Sequence, residues 1–403
     1  MSGGTRSYEM ARRFVTQGHE VHMITSWREH SKNNDWFVER IDGIHVHWLP
    51  VRYSNSMSFS KRIKPFFEFA FKSAWKAASI KADIIFATST PLTIALPAIY
   101  ASKRQRVPMV FEVRDLWPEL PISMGALNNP IKRYFAKHME LFAYKNSSAI
   151  IALSPGMKDG IVRKNYPKSN IAVIPNSCDI EMFKVEDLLG KGFRRDRKWL
   201  GNSPLILYAG TFGLINGVDY LVDLAVELSR IDSDIKILAV GSGMEYDKVI
   251  KKAENLEVFN RNFYIEKELK KKDMAAALNA STIATSLFID IPEMRINSAN
   301  KFFDALASAR PVMINYGGWM HDLVTKRECG LPMWQKSISE VAEILDTKMH
   351  DQTWLEKSGQ AARKLAEECF DRDMLAAQLM AVLQSAVDGD IENAAMIAPG
   401  NYE

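Results

Sequence analysis

Lys301 and Asp304 lie one turn apart in a segment, Asn297 to Trp319, that reads as helix, break, strand and turn. Asn297 or Ser298 can cap a helix, Ala299 to Ala309 are mostly good helix formers, and Pro311 forbids continuation. Val312 to Tyr316 follows as a short apolar strand, and Gly317-Gly318 lets the backbone turn sharply. A helix start presents free N–H groups and the positive end of its dipole, which suits a phosphate. Lys301 for a phosphate and Asp304 for ribose hydroxyls would together read a sugar nucleotide. An ordinary α/β helix with a solvated Lys and Asp fits the same spacing.

Glycines mark a second group. After Leu205–Ala209 come Gly210-Thr211-Phe212-Gly213, then Asn216-Gly217 opening a helix over Val218–Ser229. After Ile235–Val240 come Gly241-Ser242-Gly243. Both loops fall at the carboxyl ends of strands, where open α/β sheets bind ligands. Glycines also serve structural βα turns. The two loops gain weight because they and the helix at 299 are expected on one edge of one sheet.

The elements that position these groups follow one pattern, short β-rich runs alternating with helices. In the first half the strands are expected at His19–Ser26, Ala82–Ser89, Pro108–Val113, Ala149–Ser154 and Ile171–Pro175, with a first helix over Thr5–Gln17. A polar segment, 185–202, reads as a linker or interdomain surface. The pattern restarts with Leu205–Ala209, Ile235–Val240, Phe259–Ile265, Ile283–Phe288 and Val312–Tyr316. Two βαβ series predict two doubly wound α/β domains facing a cleft, over 1–184 and 203–388. Helices around Gln352–Glu368 and Arg372–Ala386 are expected to close the second half, with a frayed tail from Asp388.

Length, 403 residues, fits two domains; 47% hydrophobic and 25% charged residues are the proportions of a globular protein. A net charge of +4 is too mild to imply nucleic acid. No apolar run reaches the roughly 18 residues of a membrane span. Cys178, Cys329 and Cys369 are too widely spaced for a disulfide framework or zinc site, so a cytoplasmic setting is expected. The chain opens at a turn, Met1-Ser2-Gly3-Gly4, where a Rossmann-like half should open with a buried strand. A first strand is therefore expected upstream of Met1; a first domain with a shorter sheet is the alternative.

Several motifs recur in one order: Gly-Gly-Thr-Arg-Ser-Tyr-Glu at 3–9, Arg-Asp-Leu-Trp-Pro-Glu at 114–119 and Ile-Pro-Asn-Ser-Cys-Asp at 174–179. Tyr-Ala-Gly-Thr-Phe-Gly at 208–213, Val-Gly-Ser-Gly at 240–243 and Asn-Lys-Phe-Phe-Asp-Ala-Leu-Ala at 300–307 continue them. In this order they resemble the retaining glycosyltransferases of the GT-B fold that build bacterial O-antigen and capsule sugars. Among those the resemblance is to amino-sugar transferases of the L-fucosamine transferase group.

The resemblance implies a second domain that binds a nucleotide-sugar donor, UDP-linked, and a first that presents the acceptor. Gly3 and Gly4 would allow close approach of the donor diphosphate. The loops at Gly210, Thr211, Gly213, Gly241 and Gly243 would close over it with the helix start at Asn300 and Lys301. The family pattern places a lysine where Asn216 stands, which leaves Lys301 as the charge on the leaving diphosphate. It also has two acids eight positions apart; Asp304 matches the second, and Ile296 occupies the first, with Glu293 nearby but out of register. Asp115, at the end of a first-half strand, would receive the acceptor hydroxyl's proton or orient the acceptor, and Glu119 could serve instead. Asp115 could also be a simple cap, paired with Arg114. In the reaction implied, the leaving diphosphate itself takes the proton, and no Asp-x-Asp marks a metal requirement.

Arg52, Lys61, Arg62, Lys64, Lys72, Lys76 and Lys81 stand against Glu68 alone, interleaved with Phe59, Phe66, Phe67, Phe69, Phe71 and Trp75. Such a segment suits the anionic inner face of the cytoplasmic membrane, which would bring the cleft to a polyprenyl-diphosphate-linked glycan. Phe67, Phe71 and Trp75 share a helical face that could also be core. Two further readings stay open: a UDP-sugar 2-epimerase of the same architecture, and a non-catalytic scaffold subunit.

Overall fold

The structure is a computed structural model that describes residues 6–27, 35–51, 57, 59–89, 91–125 and 127–402. The first half opens with α1 (Arg6–Thr16), followed by β1 (His22–Trp27), β2 (Phe37–Ile41) and β3 (Ile44–Pro50). Then come α2 (Phe59–Ser79), β4 (Ile85–Thr88), α3 (Ala95–Gln105), β5 (Met109–Val113) and α4 (Glu119–Ser123). The half ends with α5 (Pro130–Lys145), β6 (Ala149–Ala152), α6 (Pro155–Val162) and β7 (Ile171–Val173). Strands β4-β5-β6-β7 form one parallel sheet, while β1-β3-β2 form a separate one. Among the described residues no strand joins β1 to β4.

The second half runs through α7 (Asp187–Arg195), β8 (Leu205–Ala209), α8 (Tyr220–Arg230), β9 (Lys236–Val240), α9 (Tyr246–Asn255) and β10 (Phe263–Glu266). It continues with α10 (Lys271–Ala280), β11 (Ile283–Ser286), α11 (Asn300–Ala307), β12 (Val312–Ile314), α12 (Trp319–Arg327) and β13 (Gly330–Pro332). The chain closes with α13 (Ile338–Met349), α14 (Gln352–Leu365), α15 (Arg372–Asp388) and α16 (Ala394–Ile397). Its sheet is parallel throughout, in the order β10-β9-β8-β11-β12-β13. That order reverses between β8 and β11, the switch point at which doubly wound sheets bind ligands beyond their strand ends. Both strands are buried, Thr285 and Ser286 of β11 included, because helices cover both faces of the sheet.

Three local expectations are corrected. Residues 185–202 hold α7, which packs on α10; a side chain at Gly190 would press on the Asn279 carbonyl, and Arg194 donates to the Ala280 carbonyl at 2.7 Å. Helix α15 does not close the second half: Leu375, Leu379 and Val382 bury against Val110, Ile151 and Ala172 of the first-half sheet. The tail from Asp388 is not frayed, since Val173 N–H donates to the Ala398 carbonyl at 2.8 Å and Tyr402 donates to the Val173 carbonyl. A polar composition hid the helix, and an apolar stripe does not say which core it meets.

Arg6 and Glu112 form a buried ion pair at 2.7 Å, and Arg6 also donates to the carbonyls of Ile174 and Pro175. Thr88 donates to the other Glu112 oxygen at 2.7 Å, so the pair ties α1, β4, β5 and the chain after β7 into one body. Glu9, Arg13, Asp179 and Arg372 make a second charged link between α1, the 176–179 loop and α15. The sequence motifs at 3–9 and 174–179 thus carry structural ion pairs.

Candidate active site

Lys301 sits in the first turn of α11, and its ammonium reaches back to the end of β8. It donates to the Tyr208 hydroxyl at 3.2 Å and lies 4.5 Å over the Tyr208 ring and 5.4 Å over that of Phe288. Among the described residues it forms no ion pair, and burial pushes its pKa down to about 7. Asn216, with its amide turned to satisfy both ends, donates to the Thr211 carbonyl at 2.9 Å and accepts from Lys301 Nζ at 3.2 Å. Gly210 adjoins this point: a Cβ there would lie 3.2 Å from the Tyr208 hydroxyl and 3.4 Å from Lys301 Nζ. Its described neighbours are thus two aromatic faces, a hydroxyl and an amide oxygen, none of them an anion.

The start of α11 is open. Its N-cap position is Ala299, without a side-chain cap, and neither Asn297 nor Ser298 fills that role. Ser298 instead accepts from the Asn176 N–H at 3.0 Å, across to the first half. Asn300 is exposed at the first helical position. Asp304, one turn on, is half-buried and close enough to Cys178 that its charge, with burial as the larger cause, raises that thiol's pKa.

The glycine loops nest on each other. Phe212 N–H donates to the Ser242 carbonyl at 2.8 Å, and Gly210 N–H to the Val240 carbonyl at 2.9 Å. At Gly241 (φ 148°) a side chain would collide with the Gly210 carbonyl, and at Gly243 (φ 151°) with that of Phe212. These two glycines are required by backbone packing, whereas Gly210, Thr211 and Gly213 form the layer beside Lys301. Gly3 and Gly4 lie outside the described residues, as does Arg52.

Across the cleft, Asp115 follows β5 and lines a small pocket with Leu116, Leu120, Met157, Met294 and Asn297. Glu293 and Ile296 complete its wall. Glu119 is elsewhere: it accepts from Lys164 at 2.7 Å, in a network with Glu140 and Tyr144. Burial, together with the Glu119 charge, pushes the Glu140 pKa up to about 7. His321 packs edge-on against Trp334 at 5.8 Å.

The halves touch along the chain from 293 to 298. Ser154 donates to the Ile296 carbonyl at 2.6 Å, Ser123 donates to Glu293, and Gly156 leaves just enough room for the Ile296 side chain.

With this geometry in view, comparisons with known proteins decide the fold. Residues 3–177 match the glycosyl transferase 4-like domain. The capsular polysaccharide biosynthesis glycosyltransferase CapM of Staphylococcus aureus is 24% identical over 295 residues, 72% of this chain and 73% of that protein. Alpha-D-kanosaminyltransferase of Streptomyces kanamyceticus is 23% identical over 118 residues, 29% of this chain and 30% of that protein. The structure of Anabaena HepE in complex with UDP-glucose matches with a TM-score of 0.67 at 18% identity, over 85% of this chain and 87% of that one. The chain has the GT-B fold. Over residues 3–177 the chain is similar to the glycosyl transferase 4-like domain.

In this GT-B protein one site residue escaped the sequence reading. Glu293, set aside as out of register, lies in the 3₁₀ turn Pro292–Ile296 and faces the same pocket as Asp115, with one carboxylate oxygen buried and without a hydrogen-bond partner. Ile296, at the register position of an acid, packs instead against first-half residues. The sole signal was Pro292, which suits the first position of the short turn that carries Glu293.

Proposed function

We propose that the protein transfers a sugar, an amino sugar of the kind the sequence resemblance implies, with retention from a UDP-linked donor to a polyprenyl-diphosphate-linked glycan in surface polysaccharide assembly. The observation that carries this reading is the meeting of Lys301, Asn216 and Gly210 beside the uncapped start of α11. A cation and free helix N–H groups at a switch point suit a diphosphate. HepE, of the same fold, is known in complex with UDP and UDP-glucose, and CapM is named for capsular polysaccharide.

The reaction breaks the bond between the anomeric carbon and the diphosphate oxygen and forms one from that carbon to the acceptor oxygen, on the same face. The acceptor's proton passes to the leaving diphosphate. Lys301 and the α11 N–H groups stabilise the charge that develops there. Asp115 and Glu293 orient the hydroxyl groups in the pocket, and Asp304 holds the ribose.

Thermal unfolding against UDP, GDP, CDP and ADP tests the donor side. A ligand at about 100 times its dissociation constant adds roughly 2.7 kcal/mol to the folded state. UDP is expected to raise the midpoint most. A cooperative transition that no nucleotide moves favours the scaffold subunit instead.

A further inference from the structure

We propose that α2, α3 and α5 form one continuous surface that docks on an anionic phospholipid bilayer, with α5 as a second aromatic arm beside α2. The inference rests on the lipid-linked acceptor of the proposed reaction and extends it to residues with no other assignment.

On α2 the three rings that could have been core are not. Phe67, Phe71 and Trp75 all face solvent, Phe71 at 70% and Trp75 at 61% exposure. Helix α5 repeats the arrangement: Ile131, Tyr134, Phe135, His138 and Phe142 recur at three- and four-residue spacings and share one face. Tyr134 is 58% and Phe135 66% exposed. Single exposed rings are ordinary, but a contiguous set marks an interaction surface.

Side-chain contacts join the helices. Trp75 of α2 lies 5.4 Å from Tyr100 of α3, and Lys103 of α3 stands 5.7 Å over the Phe142 ring of α5. All three helices carry a net positive charge, and Glu68 of α2 is paired with Lys72 at 2.9 Å. Helix α3 adds exposed Lys103 and Arg104 without an acid, and α5 adds Lys132, Arg133, Lys137 and Lys145. The one acid of α5, Glu140, is buried away from this face at 1% exposure.

That sign selects the occupant. A second copy of the chain would bring the same cations against their like, whereas an anionic bilayer accepts both the cations and the rings. The surface is also tied to the cleft. Arg133 donates to the Leu127 carbonyl at 2.7 Å, and Leu127 N–H donates to the Pro121 carbonyl at 3.1 Å on α4. Leu120 of that same helix lines the pocket beside Asp115. Docking α5 would hold the acceptor wall at the lipid surface.

The test is co-sedimentation of the full chain with phosphatidylcholine vesicles, with and without phosphatidylglycerol. The wild type is expected to bind the anionic vesicles at least tenfold more tightly. Phe135→Ser with Phe142→Ser should weaken binding by tenfold or more. Lys132→Gln with Lys137→Gln should cost about fivefold per charge at low salt. All four side chains are exposed, so the unfolding midpoint should not move. Wild-type affinity in both α5 variants would overturn the proposal, as would displacement from vesicles by millimolar inorganic phosphate. Self-association without vesicles that the same variants abolish would also overturn it, in favour of a protein interface. Turnover on a short-chain, water-soluble acceptor should be unchanged in the α5 variants. Absence of that turnover in the wild type, with vesicle binding intact, would remove the transfer reading and leave the docking surface standing.

Discussion

Lys301 and Asn216 meet at 3.2 Å, so the ammonium of α11 stands beside the loop position where the family resemblance expects a lysine. The charge reaches the same point from the opposite wall. Exchange of the two should therefore be tolerated in part. Lys301→Met is expected to weaken UDP binding by about 1.5–3 kcal/mol, the range for a hydrogen bond to a charged group. Adding Asn216→Lys should recover much of that loss, read by calorimetric titration with UDP. No recovery would mean that the point of contact does not define the anion site.

The lowered pKa of Lys301, about 7, gives binding a pH signature. Above pH 7 the free protein has lost the proton that a bound diphosphate would restore, so UDP affinity should fall as pH rises, up to about tenfold per unit. Stability runs the other way. An unfolded lysine holds its proton to about pH 10.4, so between the two values the unfolded chain binds more protons and this group's contribution to stability rises with pH. Lys301→Met should flatten both slopes.

Asp304→Ala should weaken nucleotide binding, whereas Asp115→Ala should leave it intact and cut turnover. Glu293→Gln should behave like Asp115→Ala, because both carboxylates face the pocket rather than α11. A loss of about 10²–10⁴ in rate is the usual scale for a proton-handling or orienting carboxylate. Unchanged UDP affinity in Asp304→Ala would remove the ribose assignment, and full turnover in either pocket variant would remove that residue from the site.

Gly156→Ala would set a methyl group into the Ile296 side chain at the contact between the halves. Turnover should drop, and pairing with Ile296→Ala should restore part of it. Independent, additive effects in the double variant would argue against a direct contact.

Breaking the Arg6–Glu112 pair tests the structural role of the first motif. Arg6→Ala leaves a carboxylate buried in the sheet and should cost about 3–5 kcal/mol in chemical denaturation. A near-neutral result would show that the pair does not hold α1 to the sheet.

Leu205–Ala209 was legible because it is a short apolar run between turn residues, and it is placed residue for residue, whereas the strand expected at Phe259–Ile265 lies at Phe263–Glu266 and Gly330–Pro332 was not foreseen. Lys301 was legible as a helix-start cation, but its contact with Asn216 spans 85 residues and leaves no local mark. The destination of α15 was not legible either. Its apolar stripe fits any core, and topology alone sends it to the first-half sheet. Gly241 and Gly243 looked like ligand-side glycines, although backbone contact between two loops already demands them. Glu293 was missed because register was counted along the sequence, and the turn at Pro292 changes which side chain faces the cleft.

The most direct test of the account is product formation from a panel of UDP-sugars with a bacterial lipid extract, by wild type, Lys301→Met and Asp115→Ala. The account predicts a glycosylated lipid from the wild type with the anomeric configuration of the donor retained, and sharply less from both variants. A folded wild type that binds UDP yet forms no glycosylated lipid with any donor, or a product of inverted configuration, would contradict it.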